Sequence, residues 1–168
     1  VTSWLADDHC DILLIQETKS QDINFPIVAF EDIGWHVVFH GQKSYNGVAI
    51  ASRYKIEDVK YGLPGDVSDE QARYMEATID GIRVATIYLP NGNPAPGPKF
   101  DYKLDWLYRL EARATKLLES EMPIVLGGDY NVIPEDKDCF DPAGWTGDAL
   151  TLPESRAAFR RLINCGYT

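Results

Sequence analysis

Two stretches of the sequence decide the fold and indicate the chemistry: residues 11–19, DILLIQETK, and residues 123–131, PIVLGGDYN. In each stretch a short apolar run ends in polar residues. Short runs rich in branched apolar residues and bounded by turn formers are typical of buried strands. In open α/β architectures, ligands bind where such strands reach the surface. We therefore predict core strands over 11–15 and 123–126, with a polar site at their ends.

The composition is typical of a folded domain. The chain has 168 residues, which suffices for one domain with a sizeable core, and we predict a single domain over residues 1–168. Its 45% hydrophobic and 25% charged residues argue against disorder. No apolar run has the length of a membrane span, and no secretory signal is present, so we expect no membrane partner.

The net charge and the cysteine content argue against several classes of protein. The net charge of −10 argues against a broadly basic nucleic-acid surface, so DNA binding would require a local basic face or a metal. The cysteines Cys10, Cys139 and Cys165 are widely spaced and odd in number. This pattern argues against a disulfide framework or a zinc site, and we expect a reducing, cytoplasmic setting.

Further elements follow from apolar periodicity and turn signals. The strongest hairpin signal is Asp80-Gly81. The additional predicted strands are 35–39, 47–52, 73–79 and 82–89, and the predicted helices are 3–9, 100–121 and 153–164. Strands outnumber helices, and the hairpin requires antiparallel pairing. This favours two packed sheets flanked by helices over a doubly wound parallel sheet.

Glu17 is the first candidate site residue. A glutamate at the end of a strand is most often a solvated side chain. A carboxylate that directly follows a fully apolar strand is, however, held rigidly, and Mg²⁺ takes one or two such carboxylates while keeping several waters.

Asp129 and Asn131 follow the second strand. Gly127 and Gly128 allow a sharp turn and the close approach of another group. An Asx-type turn would explain the pair without any function. The functional alternative makes Asp129 a base or a water-orienting group and lets the Asn131 amide contact a phosphate or a metal.

Tyr88 and Asn91 end the hairpin's second strand and begin a Pro- and Gly-rich loop. Tyr88 could be a core aromatic, or its phenol could donate to an oxyanion. Asn91 is of a type common in turns, and it is also a neutral donor suited to phosphates. His9, His36 and His40 lack partners at metal-ligand spacing, and no Walker or G-x-S-x-G motif occurs.

Taken together, these motifs resemble exonuclease III-type enzymes of the endonuclease/exonuclease/phosphatase superfamily. The likeness extends from Cys10 to Thr168. The motifs that carry it are QETK at 16–19, HGQKSYNGVA at 40–49, QARY at 71–74, YLPNG at 88–92, FDYKL at 100–104 and GDYN at 128–131.

The resemblance implies a DNase I-like α/β fold, a four-layer α-β-β-α sandwich of two mixed β-sheets, incomplete in this chain. It implies Mg²⁺- or Mn²⁺-dependent phosphodiester hydrolysis in duplex DNA. The expected activities are cleavage 5′ to abasic sites and removal of nucleotides from 3′ ends, in base excision repair. The expected partner is double-stranded DNA with abasic sites or 3′ ends, and the expected state is a monomer.

The resemblance also implies residue roles. Glu17 matches the metal-ligating glutamate, and Tyr88 matches the tyrosine near the scissile phosphate. Asp129 matches the aspartate that orients or deprotonates the attacking water, and Asn131 matches the phosphate-contacting asparagine. Asp129 and Asn131 are also counted with Glu17 as metal-binding. The positions expected on the DNA-facing surface are Tyr45, Asn46, Arg73 and Asn91, with Lys103 and Lys99 as weaker candidates.

The family pattern continues beyond both ends of these residues. It includes an upstream strand carrying an asparagine and a downstream histidine with its aspartate partner. We therefore expect the 168 residues to be part of a longer protein and to be inactive alone. Two alternatives stay open. One is a superfamily phosphodiesterase or phosphatase acting on inositol phosphates, sphingolipid or poly(A), and the other is a truncated, non-catalytic nucleic-acid-binding form.

Overall fold

A computed structural model describes residues 1–7 and 10–168, so the predicted helix end at Asp8 and His9 lies outside the described residues. The described strands are β1 (Ile12–Gln16), β2 (His36–His40), β3 (Val48–Ser52), β4 (Ile56–Tyr61), β5 (Tyr74–Ile79), β6 (Ile82–Tyr88) and β7 (Ile124–Asp129). The described α-helices are α1 (Thr2–Ala6), α2 (Ile27–Glu31), α3 (Pro98–Leu118) and α4 (Pro153–Asn164). Short 3-10 helices occupy Asp22–Asn24, Asp136–Asp138 and Ala143–Trp145.

The chain forms two compact units. The first unit comprises Val1–Tyr88 and Met122–Asp129, and it contains the strands named above together with α1 and α2. The second unit comprises Leu89–Glu121 and Tyr130–Thr168, and it contains α3 and α4.

The first sheet has the strand order β1-β3-β2, with both pairings antiparallel. The central strand β3 is buried along its whole length because it has a neighbour on each side and a covered surface on each face. Val48 and Ile50 enter the core between the sheets, whereas Ala51 packs with Leu5 of α1 and Phe30 of α2. Burial of each such branched side chain contributes about 1.5–3 kcal/mol.

The second sheet has the order β4-β5-β6-β7 and is mixed, because β6 and β7 run parallel while the other pairs are antiparallel. The predicted hairpin is confirmed. Asp80 and Gly81 connect β5 to β6 with φ angles of 47° and 77°, the left-handed conformations that a type I′ turn requires.

The two sheets pack face to face through an apolar core of Val48, Ile50, Met75, Ala77, Ile79 and Val84. A hydrogen bond from Gln16 Nε2 to Thr86 Oγ1, 2.9 Å long, crosses this interface. The predicted α/β fold with two packed sheets is confirmed. The second sheet is mixed, and the described strands of the first sheet pair antiparallel.

The sequence analysis did not predict β4 or α2. Only Ile56 and Val59 of β4 pack against the core, and its remaining side chains are exposed because it is an edge strand. The strand is also irregular, since Asp58 has a φ of 46° and the pairing with β5 shifts register between Glu57 and Lys60. Such a strand shows no clean alternation of apolar and polar residues.

The second unit confirms the predicted helices. The helix predicted over 100–121 extends from Pro98 to Leu118, and the helix predicted over 153–164 has these bounds. The two helices contact each other, and Arg161 Nε pairs with Glu111 Oε2 at 3.1 Å. Among the described residues, no helix combines the length and apolarity needed to cross a bilayer.

A buried ion pair joins β5 to β6 within the second sheet. Arg83 NH2 lies 2.6 Å from Glu76 Oε1, and the two side chains are only 5% and 1% exposed. The Tyr74 hydroxyl also donates to Glu76, and Arg83 donates to Thr78 Oγ1. A charge at such depth requires a partner, because the loss of water around it is not otherwise compensated.

We expect Arg83→Met in the full-length protein to lower the free energy of unfolding by about 3–5 kcal/mol, because it leaves the Glu76 carboxylate buried without a cation. Urea denaturation would measure this loss. The control is Asp58→Asn, which removes the exposed partner of Arg83 and should cost at most about 1 kcal/mol. Equal losses in the two variants would contradict a stabilising role for the buried pair.

Candidate active site

Tyr88 and Asp129 lie side by side at one edge of the second sheet. They are register partners at the ends of the parallel strands β6 and β7. The close pairing depends on Gly128, whose φ is 142° and where a Cβ would lie 2.0 Å from the Ile87 carbonyl oxygen. The glycine therefore lets β7 pass Ile87 and present the exposed Asp129 carboxylate beside the phenol.

Glu17 lies in a turn after β1 that is docked on a second loop. The Thr18 amide donates to the Gly47 carbonyl and the Lys19 amide to the Asn46 carbonyl, at 3.2 and 2.9 Å. Glu17 and Lys19 have positive φ angles of 54° and 50°. Non-glycine residues seldom adopt this conformation, and they cluster at functional sites when neighbouring contacts hold them there.

The charges around Glu17 fix its protonation state and that of Tyr88. The hydrogen bond and charge of Lys19, whose Nζ is 2.8 Å from Glu17 Oε2, hold the pKa of Glu17 below its usual value. Burial and the nearby carboxylates of Glu17 and Asp129 raise the pKa of Tyr88 above its usual value. At neutral pH, Glu17 is therefore ionised and Tyr88 keeps its proton, so the phenol can donate a hydrogen bond.

Arg73 stacks against Tyr88. Its guanidinium carbon lies 4.8 Å from the centre of the tyrosine ring, and NH1 donates to the Tyr88 carbonyl at 3.3 Å. Gln71 fixes this arrangement, because its Oε1 accepts from Arg73 Nε at 2.8 Å and from Asn46 Nδ2 at 3.3 Å. Gln42 accepts from Asn46 as well, at 2.8 Å.

Sequence reasoning gave no role to Gln42, Gln71 or Lys19, although all three lie within quoted motifs. The glutamine contacts join residues 25 and 30 positions apart, such as Gln71 with Asn46 and Gln42 with Ala72. No local pattern records a bond of this span. The structure thus adds two carboxamides that orient predicted residues and a lysine that pairs with the predicted metal ligand.

The second unit contains a cluster of site residues formed by Asn131, Asn91 and Lys103. Asn131 Nδ2 donates to the Leu89 carbonyl at 2.8 Å, and Asn91 Nδ2 reaches Asn131 Oδ1 at 3.4 Å. Lys103 Nζ donates to the main-chain carbonyl of Asn91 at 3.0 Å and to that of Asn131.

Asn93 and Asp148 extend this cluster. Asn93 Nδ2 donates to Asn91 Oδ1 at 2.9 Å and to Asp148 Oδ2 at 3.0 Å. Asp148 Oδ1 accepts from the Leu150 amide at 2.8 Å. The sequence analysis did not single out Asp148, because a lone aspartate in a long loop carries no pattern.

The predicted DNA-facing residues differ in exposure. Tyr45 is 71% exposed, and Asn91 is exposed as well. Asn46 is only 7% exposed and Lys103 is fully buried. The side chains of both form hydrogen bonds within the protein. Their hydrogen bonds hold neighbouring loops, and direct contact of either residue with DNA stays a prediction.

The donors of the first unit fit a hard divalent cation. Glu17 offers an ionised carboxylate that is 43% exposed and already attracts the ammonium of Lys19. Asp129 offers a second exposed carboxylate. Among the described residues, His, Cys, Asp and Glu side chains form no group of three suited to a metal. A set with one or two carboxylates suits Mg²⁺ or Mn²⁺, since such ions keep several waters.

Comparison with known proteins supports the resemblance found in the sequence. The model of the Endonuclease/Exonuclease/phosphatase family matches residues 1–167. Exodeoxyribonuclease III of Haemophilus influenzae is 32% identical over 167 residues, covering 93% of this chain and 62% of the relative. An AP endonuclease structure from Archaeoglobus fulgidus is 39% identical with a TM-score of 0.94, covering 100% of this chain and 65% of that one.

A third relative carries a nucleic acid. The structure of a 3′ phosphatase from Neisseria bound to product DNA hairpin is 39% identical with a TM-score of 0.93, covering 98% of this chain and 64% of that one. These similarities confirm the predicted fold class. The chain spans less than two thirds of the length of each of these three relatives.

We expect Gln71→Ala to release the Arg73 side chain, because the guanidinium loses its acceptor at Nε. A hydrogen bond to a charged group contributes about 1.5–3 kcal/mol, so exchange of the Arg73 Nε proton with water should accelerate at least about tenfold. Nuclear magnetic resonance of the arginine side chains measures this rate. Glu70→Ala, at the exposed neighbouring position, should leave it unchanged. An unchanged rate in Gln71→Ala would show that Gln71 does not orient Arg73.

Proposed function

The chain belongs to the Endonuclease/Exonuclease/phosphatase family, and from this membership we propose that the protein hydrolyses phosphodiester bonds in DNA with a divalent cation. The specific activities proposed are cleavage 5′ to abasic sites and 3′-5′ exonuclease action in base excision repair. The observation that carries the proposal is the cluster of Glu17, Tyr88 and Asp129 at one sheet edge. Relatives named exodeoxyribonuclease III and AP endonuclease favour DNA as the substrate.

We propose that Glu17, Asp129 and Asn131 hold Mg²⁺ or Mn²⁺. Glu17 suits this role because Lys19 keeps it ionised and because its carboxylate is accessible. When bound, the cation supplies positive charge that offsets charge on the phosphate and on the departing oxygen. Asn131 is included on the family resemblance and on its position two residues after Asp129.

Asp129 is proposed to orient the attacking water and accept its proton. The water oxygen forms a bond to phosphorus while the bond from phosphorus to the 3′ oxygen breaks, and that oxygen leaves with the bonding electrons and takes a proton from solvent to give the 3′-hydroxyl. An exposed carboxylate at the end of a rigid strand can point at a fixed spot, which is the requirement for general-base catalysis.

Tyr88 is proposed to donate a hydrogen bond to a phosphoryl oxygen. The phenol is protonated at neutral pH, its pKa is raised further by burial, and the cation of Arg73 stacked on its ring limits its movement. The amide of Asn131 is proposed to act on the same phosphate. Donors fixed before the reaction stabilise developing charge without reorganising.

DNA binding by an acidic protein requires local features that offset its net charge of −10. We propose that Tyr45 offers an exposed ring to the substrate, that Arg73 adds local positive charge, and that Asn91 contributes a neutral donor. Neutral amides contact phosphates without adding repulsion or requiring a basic surface. Lys19 adds a further positive charge beside Glu17.

Three further points belong to the proposal. We propose that both units belong to one domain over 1–168, because a single family model spans residues 1–167. We propose a monomer, because the proposed site residues all come from one chain. We propose a reducing, cytoplasmic location, which the three free cysteines favour.

The function is tested by comparing substrates for the full-length protein, with Mg²⁺ and after its removal by chelation. The proposal requires Mg²⁺-dependent cleavage of a duplex with one abasic site and shortening of a duplex 3′ end. Cleavage of inositol phosphates but not DNA would instead identify a different superfamily phosphatase, and binding of DNA without cleavage would identify a non-catalytic form.

We expect Asp129→Asn in the full-length protein to abolish abasic-site cleavage while leaving DNA binding largely intact. Loss of a general base costs about 10²–10⁴-fold in rate, whereas the amide preserves shape. Single-turnover cleavage and fluorescence anisotropy measure the two properties. The matched control is Asp105→Asn, an exposed aspartate of α3, which should cleave normally. Near-normal turnover by Asp129→Asn would show that Asp129 is only a turn residue.

A further inference from the structure

Lys103 is a fully buried lysine in the first half of α3. Lysine is almost never buried unless its charge is paired or solvated by protein groups. Here Nζ donates to the main-chain carbonyl of Asn91 at 3.0 Å and to that of Asn131. One ammonium therefore binds two segments that are 40 residues apart in the chain.

The loop around Asn91 is shaped to the stem of this lysine. A Cβ at Gly92 would lie 2.6 Å from Lys103 Cδ and 3.2 Å from Ala149 Cβ. Gly92 also has a φ of 90°, which favours glycine. The loop thus passes so close to the lysine stem that neither partner can be enlarged without displacing the other.

The side chains of the two segments are joined as well. Asn91 Nδ2 reaches Asn131 Oδ1 at 3.4 Å, and Asn131 Nδ2 donates to the Leu89 carbonyl at 2.8 Å. The orientation of both amides therefore depends on how the two main-chain segments are held. The Lys103 ammonium holds both main-chain segments through its hydrogen bonds to their carbonyls.

We propose that Lys103 is a positioning residue that fixes Asn91 and Asn131 for their work on the phosphate, a role that rests on the proposed function. The chemistry of the side chain suits this task. The ammonium is compact and carries three donors on a flexible stem, so it can serve two carbonyls at once. The planar guanidinium of arginine is larger and would press on the loop at Gly92.

The test compares Lys103→Met with Leu117→Ala in the full-length protein. Methionine keeps most of the stem volume and removes the donors. Leu117 is 6% exposed, and 14 residues of helix at 1.5 Å each place it about 21 Å along α3 from Lys103. Its loss lowers stability without touching either segment, so it controls for destabilisation alone.

We expect Lys103→Met to lower kcat on an abasic duplex by about 10–100-fold with KM within about threefold of normal, because misplaced groups fail chiefly in the transition state. Leu117→Ala should retain kcat when both are assayed well below their melting temperatures. Equal kcat values in the two variants would overturn the proposal.

Hydrogen exchange supplies a readout that needs neither substrate nor cation. Amides of residues 91–93 and 131–133 should exchange faster in Lys103→Met than in Leu117→Ala. Unchanged exchange would overturn the role of Lys103 even if DNA cleavage is confirmed, and faster exchange would support it even if the proposed activity fails. Should Lys103→Met not fold, Lys103→Gln, which keeps a neutral NH2 donor group, is subject to the same criteria.

Discussion

The parallel pairing of β6 with β7 is the constraint on which the candidate site depends. Backbone hydrogen bonds between these strands set the register in which Tyr88 lies opposite Asp129. A one-residue slip would turn one of the two side chains to the other face of the sheet. Gly128 makes this register sterically possible by removing the Cβ that would meet Ile87. A backbone interaction in the sheet thus determines which chemical groups lie together at its edge.

Within each unit, hydrogen bonds of neutral amides and of a buried lysine orient the site residues. Gln71 holds Arg73 over Tyr88, and Gln42 and Gln71 together hold Asn46. In the second unit, Lys103 holds the main chain of Asn91 and Asn131. These contacts are more rigid than exposed charge pairs, because their polar atoms are wholly or partly shielded from water. Two of the predicted site residues, Asn46 and Lys103, thus make hydrogen bonds that hold neighbouring loops.

The electrostatics of the first unit shift the pKa values of Glu17 and Tyr88 in opposite directions. Lys19 lowers the pKa of Glu17, while burial and neighbouring carboxylates raise the pKa of Tyr88, so both pKa values lie further from neutrality than usual. An anion that can attract a cation and a phenol that can donate a proton are therefore present together at neutral pH.

The sequence by itself determined the features that local patterns encode. The apolar runs predicted the core strands, Asp80-Gly81 predicted the hairpin, and helical periodicity predicted α3 and α4. The strand-end motifs indicated the family, and the family model agrees with that resemblance. Each of these signals lies within a few neighbouring residues, where φ, ψ and burial preferences act directly.

Only the tertiary structure decided which of these residues are exposed and which support them. Asn46 and Lys103 are residue types that often contact ligands. Both are nevertheless buried, because loops distant in the sequence cover them. The edge strand β4 was not predicted, because its side chains show no strand pattern. Its extended conformation depends on the backbone pairing with β5. Hydrogen bonds that span 25 to 40 positions arise from chain topology, and no periodicity in the sequence records them.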